Sequence, residues 1–206
     1  MTEIAREIAI KGKQAVLIGP RSAGKSTLVQ YILSRVPSHF VYDITHEHGR
    51  FNRYLPENRR GEEAIAELDG VLSSVVLDND ASRRPGLFVI EEANRVVPNR
   101  GAIPDAVGEM IDLGRHYERP GGSGVGVLYV TRRPAQMETD AIELADYLMV
   151  LGARGKNDVK RLNRERAGLG DMARDMSGGY DWLLVTPDRE VHHMMPVPEG
   201  DTTGTL

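Results

Sequence analysis

One short segment near the start of the chain constrains the fold more than any other feature. The apolar run Gln14–Ile18 leads directly into Gly19–Thr27, which reads Gly-Pro-Arg-Ser-Ala-Gly-Lys-Ser-Thr and fits the pattern G-x-x-x-x-G-K-[ST]. The glycines at its fixed positions let backbone amides close around a phosphate, and the N-terminus of a following helix adds a positive dipole. The segment therefore predicts a phosphate-binding loop between a strand and a helix.

Every residue of this loop is predicted to contact a nucleotide. The predicted binding set is Gly19, Pro20, Arg21, Ser22, Ala23, Gly24, Lys25, Ser26 and Thr27. Lys25 supplies a mobile cation to the β- and γ-phosphates, and the Ser26 hydroxyl is a ligand for Mg²⁺. The loop therefore predicts a nucleoside triphosphate and Mg²⁺ as the bound pair.

Two consecutive acids follow a second apolar run. Leu87–Ile90 leads into Glu91 and Glu92, and α/β sheets place ligands at the carboxyl ends of their strands. A P-loop enzyme needs a carboxylate close to its metal, and we expect it on a neighbouring strand. Glu91 is therefore predicted to hold Mg²⁺, directly or through water, and Glu92 to be the general base for the attacking water. Without the upstream loop, two solvated acids at a strand end would be the preferred interpretation.

The tandem acids favour hydrolysis over phosphoryl transfer to a small molecule. The sequence has no lid insertion typical of a nucleoside kinase. It also has no Asn-Lys-x-Asp guanine-reading motif, since Lys156-Asn157-Asp158 has a different order. ATP is therefore the predicted nucleotide, and ATP hydrolysis the predicted activity.

Strand-like runs alternate with helical patterns, which is typical of a parallel α/β sheet. The predicted strands are Gln14–Ile18, Phe40–Tyr42, Leu87–Ile90, Gly126–Val130, Tyr147–Leu151 and Trp182–Val185. The predicted helices are Lys25–Arg35, Glu62–Leu77, one that begins near Pro104, and Asp158–Arg166. The pattern predicts an α/β P-loop NTPase fold of the RecA/ASCE type, a three-layer sandwich with a mainly parallel central sheet. We expect a single domain over 1–195 and a disordered tail over 196–206, which has no periodicity.

Composition excludes several other kinds of site. The chain contains no cysteine, so disulfides and thiolate metal sites are excluded. No apolar run approaches the roughly 20 residues that span a bilayer, and the acidic N-terminal segment lacks a signal-peptide layout. We therefore expect no transmembrane segment and no secretion. The expected location of the protein is a cytoplasm or a particle assembled there. The net charge of −4 still permits a local contact with nucleic acid.

From the acidic strand end onward, the sequence resembles the HerA/FtsK superfamily of ring-shaped DNA-pumping ATPases. Ile90–Asn94 is similar to the family's acidic strand end, Gly114–His116 to its Gly-Arg turn, and Val130–Pro134 to its Thr-Gln-Arg-Pro strand end. Asp43, which closes the second predicted strand, also suits the family. Together with the phosphate-binding loop, the resemblance covers about 8–162.

The resemblance implies roles for two arginines and also shows departures. Arg115 corresponds to an arginine finger inserted into the neighbouring subunit's site, with a helix C-terminal cation as the alternative. Arg132 is placed in the catalytic set where the family commonly has Gln, and it could sense the γ-phosphate, stabilise charge or bind a neighbour. Glu91 replaces the usual Asp, and Asn94 replaces His.

The resemblance also implies a homo-oligomeric ring, hexameric in the family, that pumps double-stranded DNA. The short chain is similar in size to the genome-packaging ATPases of membrane-containing icosahedral viruses. This implies packaging of a viral genome into a preformed capsid, a place in the host cytoplasm or the virion, and a capsid vertex or viral membrane protein as a further partner. The alternatives are a cellular motor for conjugation or repair, a P-loop small-molecule kinase, and a nucleotide-dependent scaffold with little turnover.

Three sets of polar residues have no assigned role. The first follows the predicted strand near residue 150 and faces DNA, a subunit interface or solvent: Arg154, Lys156, Lys160, Arg161, Arg164 and Arg166. The second is a basic loop, either a pore loop or a solvated one: Arg50, Arg53, Arg59 and Arg60. The third is His46, His48, His192 and His193. These histidines lack a third ligand at diagnostic spacing, so no metal site is predicted there.

Overall fold

A central sheet of eight strands organises the chain. The computed structural model describes residues 2–78, 80–101, 103–120, 124–176 and 180–197. The tail predicted over 196–206 lies outside the described residues apart from Pro196 and Val197. Within the described ranges, no helix has both the length and the apolar character needed to cross a bilayer.

The sheet is mainly parallel, as predicted. Its strands are β1 Gln14–Ile18, β2 His39–Tyr42, β3 Arg53–Tyr54, β4 Leu87–Ile90, β5 Gly126–Thr131, β6 Tyr147–Val150, β7 Trp182–Val185 and β8 Val191–Met194. Their order is β3-β2-β4-β5-β1-β6-β7-β8. The first six are mutually parallel, β7 is antiparallel to β6, and β8 is antiparallel to β7. All six predicted strands are confirmed to within a residue at each end. The short β3 and the polar β8 were not predicted.

Helices flank the sheet. They are α1 Thr2–Lys11, α2 Lys25–Leu33, α3 Glu62–Leu72, α4 Asp105–Leu113, α5 Thr139–Glu143, α6 Lys156–Glu165 and α7 Leu169–Asp175. The sequence predicted α2, α3, α4 and α6 but not the other three. The helix predicted over Glu62–Leu77 is α-helical only to Leu72 and continues as a π-helical turn over Ser73–Leu77.

Alternate residues along the buried strands pack into two separate cores, one on each face of the sheet. The sheet and the helices on its two faces therefore form three layers. In β1, Val16 and Ile18 pack with the core that contains α3 and α4, whereas Ala15 and Leu17 pack with the core that contains α1 and α2. All five β1 side chains are buried. A strand covered on both faces needs apolar residues throughout, which explains the unbroken apolar run that precedes the loop.

The strand order corrects one expectation about the site. The acids after β4 do not lie on a strand next to β1, because β5 pairs with both β1 and β4. Neighbouring strands are roughly 4.8 Å apart, so the loop after β1 and the acids after β4 are separated by about 10 Å. Thr131, at the end of β5, lies between them, and its carbonyl accepts a hydrogen bond from the Gly19 amide at 3.1 Å. An apolar run reveals a strand but not the position of that strand in the sheet.

Candidate nucleotide-binding and hydrolysis site

The loop after β1 has the backbone that phosphate binding requires. Gly24 precedes α2 with φ of +91°, a conformation that L side chains rarely adopt. A Cβ at Gly19 would lie 3.0 Å from the Leu151 Cβ, so this position too favours glycine. The two fixed glycines of the motif are therefore explained by the fold, and the loop ends at the N-terminus of α2.

Lys25 lies over this loop. Its Nζ donates a hydrogen bond to the Pro20 carbonyl at 3.0 Å, and the residue is buried. Burial lowers the pKa of Lys25, while the charges of Glu92 and Glu91 oppose that change. A partly desolvated ammonium gains strongly from an anionic ligand, which suits a lysine that meets phosphate oxygens.

Ser26 contacts a carboxylate that the sequence did not single out. Its hydroxyl donates to Glu47 Oε2, in the loop after β2. Asp43 shapes this loop by accepting hydrogen bonds from the amides of Glu47 and His48 at 3.1 and 3.0 Å. Glu47 was missed because no motif marks it: an acid five residues beyond a strand end is ordinary in a loop.

Asp43 is itself fully buried and ion-paired. Arg53 Nη1 donates to its Oδ2 at 2.8 Å. Burial alone would raise the pKa of Asp43, but the hydrogen bonds from Arg53 and from the two loop amides together lower it. Arg53 of the predicted basic loop is therefore a structural partner of Asp43 and is only partly exposed, so it is not a freely solvated cation.

Glu91 is held by a histidine. His48 Nε2 lies 2.7 Å from Glu91 Oε1, and both side chains are buried. His48 Nδ1 is buried without a hydrogen-bond partner among the described residues. In metal sites, a residue that hydrogen-bonds to a carboxylate ligand often fixes the orientation of that carboxylate in this way.

The oxygen donors at this point fit Mg²⁺. The Ser26 hydroxyl and the carboxylates of Glu47 and Glu91 are hard ligands, and Ser26, Glu47 and Glu91 line one cavity of about 690 Å³. No group of three His, Asp or Glu in the described ranges is arranged to hold a metal alone. Mg²⁺ commonly binds through one or two protein ligands, with phosphates and water completing its shell.

Glu92 is bound by two arginines. Arg132 donates to Glu92 Oε2 from Nε at 2.9 Å and from Nη2 at 2.7 Å, and Arg95 Nε lies 3.6 Å from the same oxygen. Glu92 has φ of +49°, which is strained for a residue with a side chain. Thr131 Oγ1 also donates to Asn94 Oδ1 at 3.0 Å, which joins the ends of β5 and β4.

The structure therefore brings together most of the predicted site residues. The cavity of about 690 Å³ is lined by Arg21, Ser22, Gly24, Lys25, Ser26, Thr27, Glu91, Glu92 and Arg132. A second cavity, of about 810 Å³, shares Arg21 and Ser22 and continues past Pro20 and Ala23. Its wall includes Leu151, Met172, Met176 and Tyr180. The rest of its lining includes charged residues, among them Asp171, Arg174 and Asp175. The apolar part of the wall has the chemistry that a nucleobase requires.

Arg115 is the exception, because it lies at the opposite edge of the sheet. It sits in the 3-10 turn Gly114–His116 after α4, and this turn packs where β1 and β5 begin: the Val125 amide donates to the Gly114 carbonyl at 3.1 Å. The phosphate-binding loop follows the other end of β1, about 16 Å away at the usual rise per residue. Arg115 is exposed and its Nε contacts His116. It cannot reach the loop of its own chain.

The basic set on α6 divides into two kinds of residue. Arg161 is buried and pairs with Glu165 at 2.8 Å and with Glu143 at 3.2 Å, so its prediction as a cation that faces DNA, a subunit interface or solvent was wrong. The other members are exposed: Arg154, Lys156, Lys160, Arg164 and Arg166.

The histidines without an assigned role contact other polar residues. His192 and His193 lie on β8, 3.5 Å from Glu190 and 3.6 Å from Asp181 respectively, and His46 Nε2 contacts Arg59.

The strand order, the loop after β1 and the acids after β4 define a P-loop ATPase fold. The same fold occurs in solved structures. The genome packaging NTPase B204 from Sulfolobus turreted icosahedral virus 2, in complex with AMPPCP, matches with a TM-score of 0.71. The two sequences are 14% identical, and the match covers 90% of this chain and 98% of that one.

Two further structures share the fold at lower similarity. The N-terminal domain of zonular occludens toxin from Neisseria meningitidis matches with a TM-score of 0.55 and 11% identity, over 92% of this chain and 96% of that one. The pCW3 conjugation coupling protein TcpA, with ATPγS, matches with a TM-score of 0.61 and 12% identity, over 90% of this chain and 60% of that one. No protein-family model matches the sequence, and no curated protein matches it.

Proposed function

We propose that this chain is an ATPase that moves along double-stranded DNA and packages a viral genome into a preformed capsid. The observation that carries the proposal is the Glu92–Arg132 ion pair beside the phosphate-binding loop. It occurs in a fold that matches a viral genome packaging NTPase over 90% of the chain. The proposed site of action is the host cytoplasm or the virion, with a capsid vertex or a viral membrane protein as the docking partner.

In the proposed reaction, each site residue acts on a triphosphate in the cavity of about 690 Å³, which we call the triphosphate cavity. Lys25 binds the β- and γ-phosphates, and Ser26 and Glu91 hold Mg²⁺, which neutralises charge on the phosphate oxygens when bound. Glu92 accepts a proton from the water that attacks the γ-phosphorus, while the bond to the ADP oxygen breaks. Arg132 lines the same cavity and stabilises the charge that develops on the transferred group.

The proposed assembly is a ring. Arg115 is exposed at the edge of the sheet remote from its own loop, so it can act only on the loop of another subunit. A head-to-tail contact that places Arg115 against a neighbour's triphosphate is heterologous, and such contacts generate rings when the rotation closes. We propose a hexamer because the superfamily that the sequence resembles forms hexamers.

A conjugation-type motor is the second candidate function. Its support is the structural match to the conjugation coupling protein TcpA, with a TM-score of 0.61. Both candidates share ATP-driven movement on DNA and differ in the partner at the far end of the DNA. Capsid genes beside the gene for this chain favour packaging, whereas genes for a transfer apparatus favour conjugation.

A triplex-displacement assay tests the proposed movement on DNA. The protein should release a third strand from a DNA duplex only with Mg²⁺ and hydrolysable ATP, and Glu92→Gln should not release it. A kinase or a scaffold would leave the triplex intact. A protein that hydrolyses ATP in the presence of the duplex but never displaces the third strand would contradict translocation.

A further inference from the structure

A third concave surface lies beside the triphosphate cavity at the same edge of the sheet. It encloses about 680 Å³ and is lined by six arginines, contributed by five separate connections that follow strands of the sheet. They are Arg21, Arg60, Arg95, Arg132, Arg133 and Arg154. We call this surface the arginine cavity. Two acids also line it, Glu92 and Asp158.

The two acids offset only part of the charge of the six arginines. Glu92 is engaged by Arg132 and Arg95, and Asp158 Oδ1 accepts a hydrogen bond from the Ala135 amide at 3.2 Å. The remaining four arginines form no ion pair with any described residue and are exposed: Arg21, Arg60, Arg133 and Arg154. Like charges gathered in one concavity repel each other, and an anionic ligand would relieve that repulsion.

The arginine cavity and the triphosphate cavity share a wall. Arg21, Glu92, Arg95 and Arg132 line both. Arg95 is the more distant of the two arginines that pair with Glu92. Its Nε lies 3.6 Å from Glu92 Oε2, whereas Arg132 Nη2 lies 2.7 Å from the same oxygen. An anion that enters the arginine cavity therefore competes with Glu92 for Arg95, and it acts on the general base without occupying the triphosphate cavity.

We propose that the arginine cavity binds the phosphodiester backbone of double-stranded DNA and thereby couples DNA binding to hydrolysis. The inference rests on the proposed function, which supplies DNA as the cargo. A neighbouring cavity of about 500 Å³ shares Arg133 and adds Arg100 and Lys156. The positive surface thus continues beyond the arginine cavity, as a polymeric anion requires and a single phosphate ion does not. Arginine forks also match phosphate oxygens well.

The test compares a double variant with a matched control. Arg60→Gln/Arg133→Gln removes two exposed arginines of the arginine cavity that line neither the triphosphate cavity nor the cavity of about 810 Å³. Arg164→Gln removes an exposed arginine of α6 that lines neither cavity. Binding of a labelled duplex of mixed sequence is measured by fluorescence anisotropy across a salt series, together with the ATPase rate with and without the duplex.

The double variant should bind the duplex more weakly, and the log–log slope of its affinity against salt should fall by about two, one for each lost phosphate contact. Its ATPase stimulation should require more duplex, while its rate without DNA stays at the wild-type value. Arg164→Gln should resemble wild type in both measurements. A double variant that titrates like Arg164→Gln would overturn the inference.

Two other results would also overturn it by assigning the cavity to another ligand. Normal duplex binding with a loss of inhibition by inorganic phosphate would identify a route for free phosphate. Normal duplex binding with a loss of the oligomer on size-exclusion chromatography would identify an acidic segment of a neighbouring subunit. Wild-type protein that fails to bind the duplex contradicts the proposed function itself, whereas DNA-stimulated wild type with an unaffected double variant contradicts only this inference.

Discussion

Arg132 donates two hydrogen bonds to a single carboxylate oxygen of Glu92, at 2.9 and 2.7 Å. The proposed general base and the cation proposed to meet the γ-phosphate are therefore direct partners. Thr131 at the end of β5 also donates a hydrogen bond to Asn94 after β4, so the two strand ends are joined by side-chain contacts. Hydrolysis in this account requires Arg132 to exchange Glu92 for phosphate oxygens.

Substitution at either member of this pair should separate binding from turnover. Glu92→Gln should bind ATP as wild type does and hydrolyse it about 10²–10⁴-fold more slowly, because the amide keeps the shape and loses the base. Arg132→Gln should slow turnover by about 10²–10³-fold through lost charge stabilisation. Phosphate release and equilibrium nucleotide binding are the two measurements. The control is Arg133→Gln, which changes the adjacent exposed arginine and should keep the basal rate.

Normal turnover in Glu92→Gln would exclude Glu92 as the general base. The complementary variant Glu91→Gln should shift the Mg²⁺ dependence of the rate. If Glu91→Gln instead abolishes hydrolysis at every Mg²⁺ concentration and leaves metal dependence of binding intact, the roles of the two acids are reversed.

His48 should act on the metal through Glu91. Removing a residue that orients a metal ligand typically weakens metal affinity about 10–100-fold. His48→Gln should therefore raise the Mg²⁺ concentration needed for half-maximal hydrolysis by about that factor, with the rate at saturating Mg²⁺ largely retained. His48→Ala also leaves a cavity at a fully buried site, so thermal unfolding of both variants is measured alongside. An unchanged Mg²⁺ titration in a folded His48→Gln protein would show that the contact with Glu91 is only structural.

The Asp43–Arg53 pair should contribute stability in a defined pH range. The pKa of Asp43 is lowered in the folded chain. The contribution is therefore present above the unfolded pKa of about 3.9, and it is lost as the pH falls through the lower folded value. Arg53→Met should reduce the free energy of unfolding by about 1–3 kcal/mol at pH 7, and by less at pH 3.

Denaturant unfolding of Arg53→Met at the two pH values checks this prediction. Arg83→Met is the control, because Arg83 forms an exposed ion pair with Asp80, and solvent screening should leave the free energy of unfolding nearly unchanged when that pair is removed. An equal loss for Arg53→Met at pH 7 and pH 3 would mean that the arginine stabilises the loop by packing and not through the ionised carboxylate.

The sequence predicted the loop and the strands well because their determinants are local. The motif at Gly19–Thr27 requires particular residues at particular positions, and strands covered on both faces must be apolar throughout. The contacts of Glu47 and His48 were not predictable in this way. Both residues reach the site only because Asp43 folds the loop after β2 towards the phosphate-binding loop, and no local pattern records that contact.

The same limit explains the basic residues. Arg161 and Arg164 lie one turn apart on α6, yet Arg161 is buried between two glutamates and Arg164 is exposed. Composition cannot separate them, since the difference depends on which face of the helix meets α5. The insertion of β5 between β1 and β4 is likewise a property of the whole sheet.

Mixing two inactive variants tests the proposed action of Arg115 across a subunit interface. Arg115→Ala should bind ATP but lose turnover by about 10³-fold or more, as removal of an arginine finger does. Lys25→Ala should lose nucleotide binding because the phosphate charge is no longer matched. The mixture should recover part of the activity, because some interfaces pair an intact loop with an intact Arg115. Full turnover by Arg115→Ala alone would reduce Arg115 to a cation at the end of its own helix.

The central claim is that double-stranded DNA stimulates ATP hydrolysis by this chain. An ATPase titration with duplex DNA at several salt concentrations tests it most directly. The account predicts a rate that rises with duplex concentration and depends little on base sequence, because a packaging motor must accept every base pair. The stimulation should fall steeply as salt increases, since phosphate contacts release counterions. A basal rate that no duplex changes even at low salt, or stimulation by one particular sequence alone, would contradict the account.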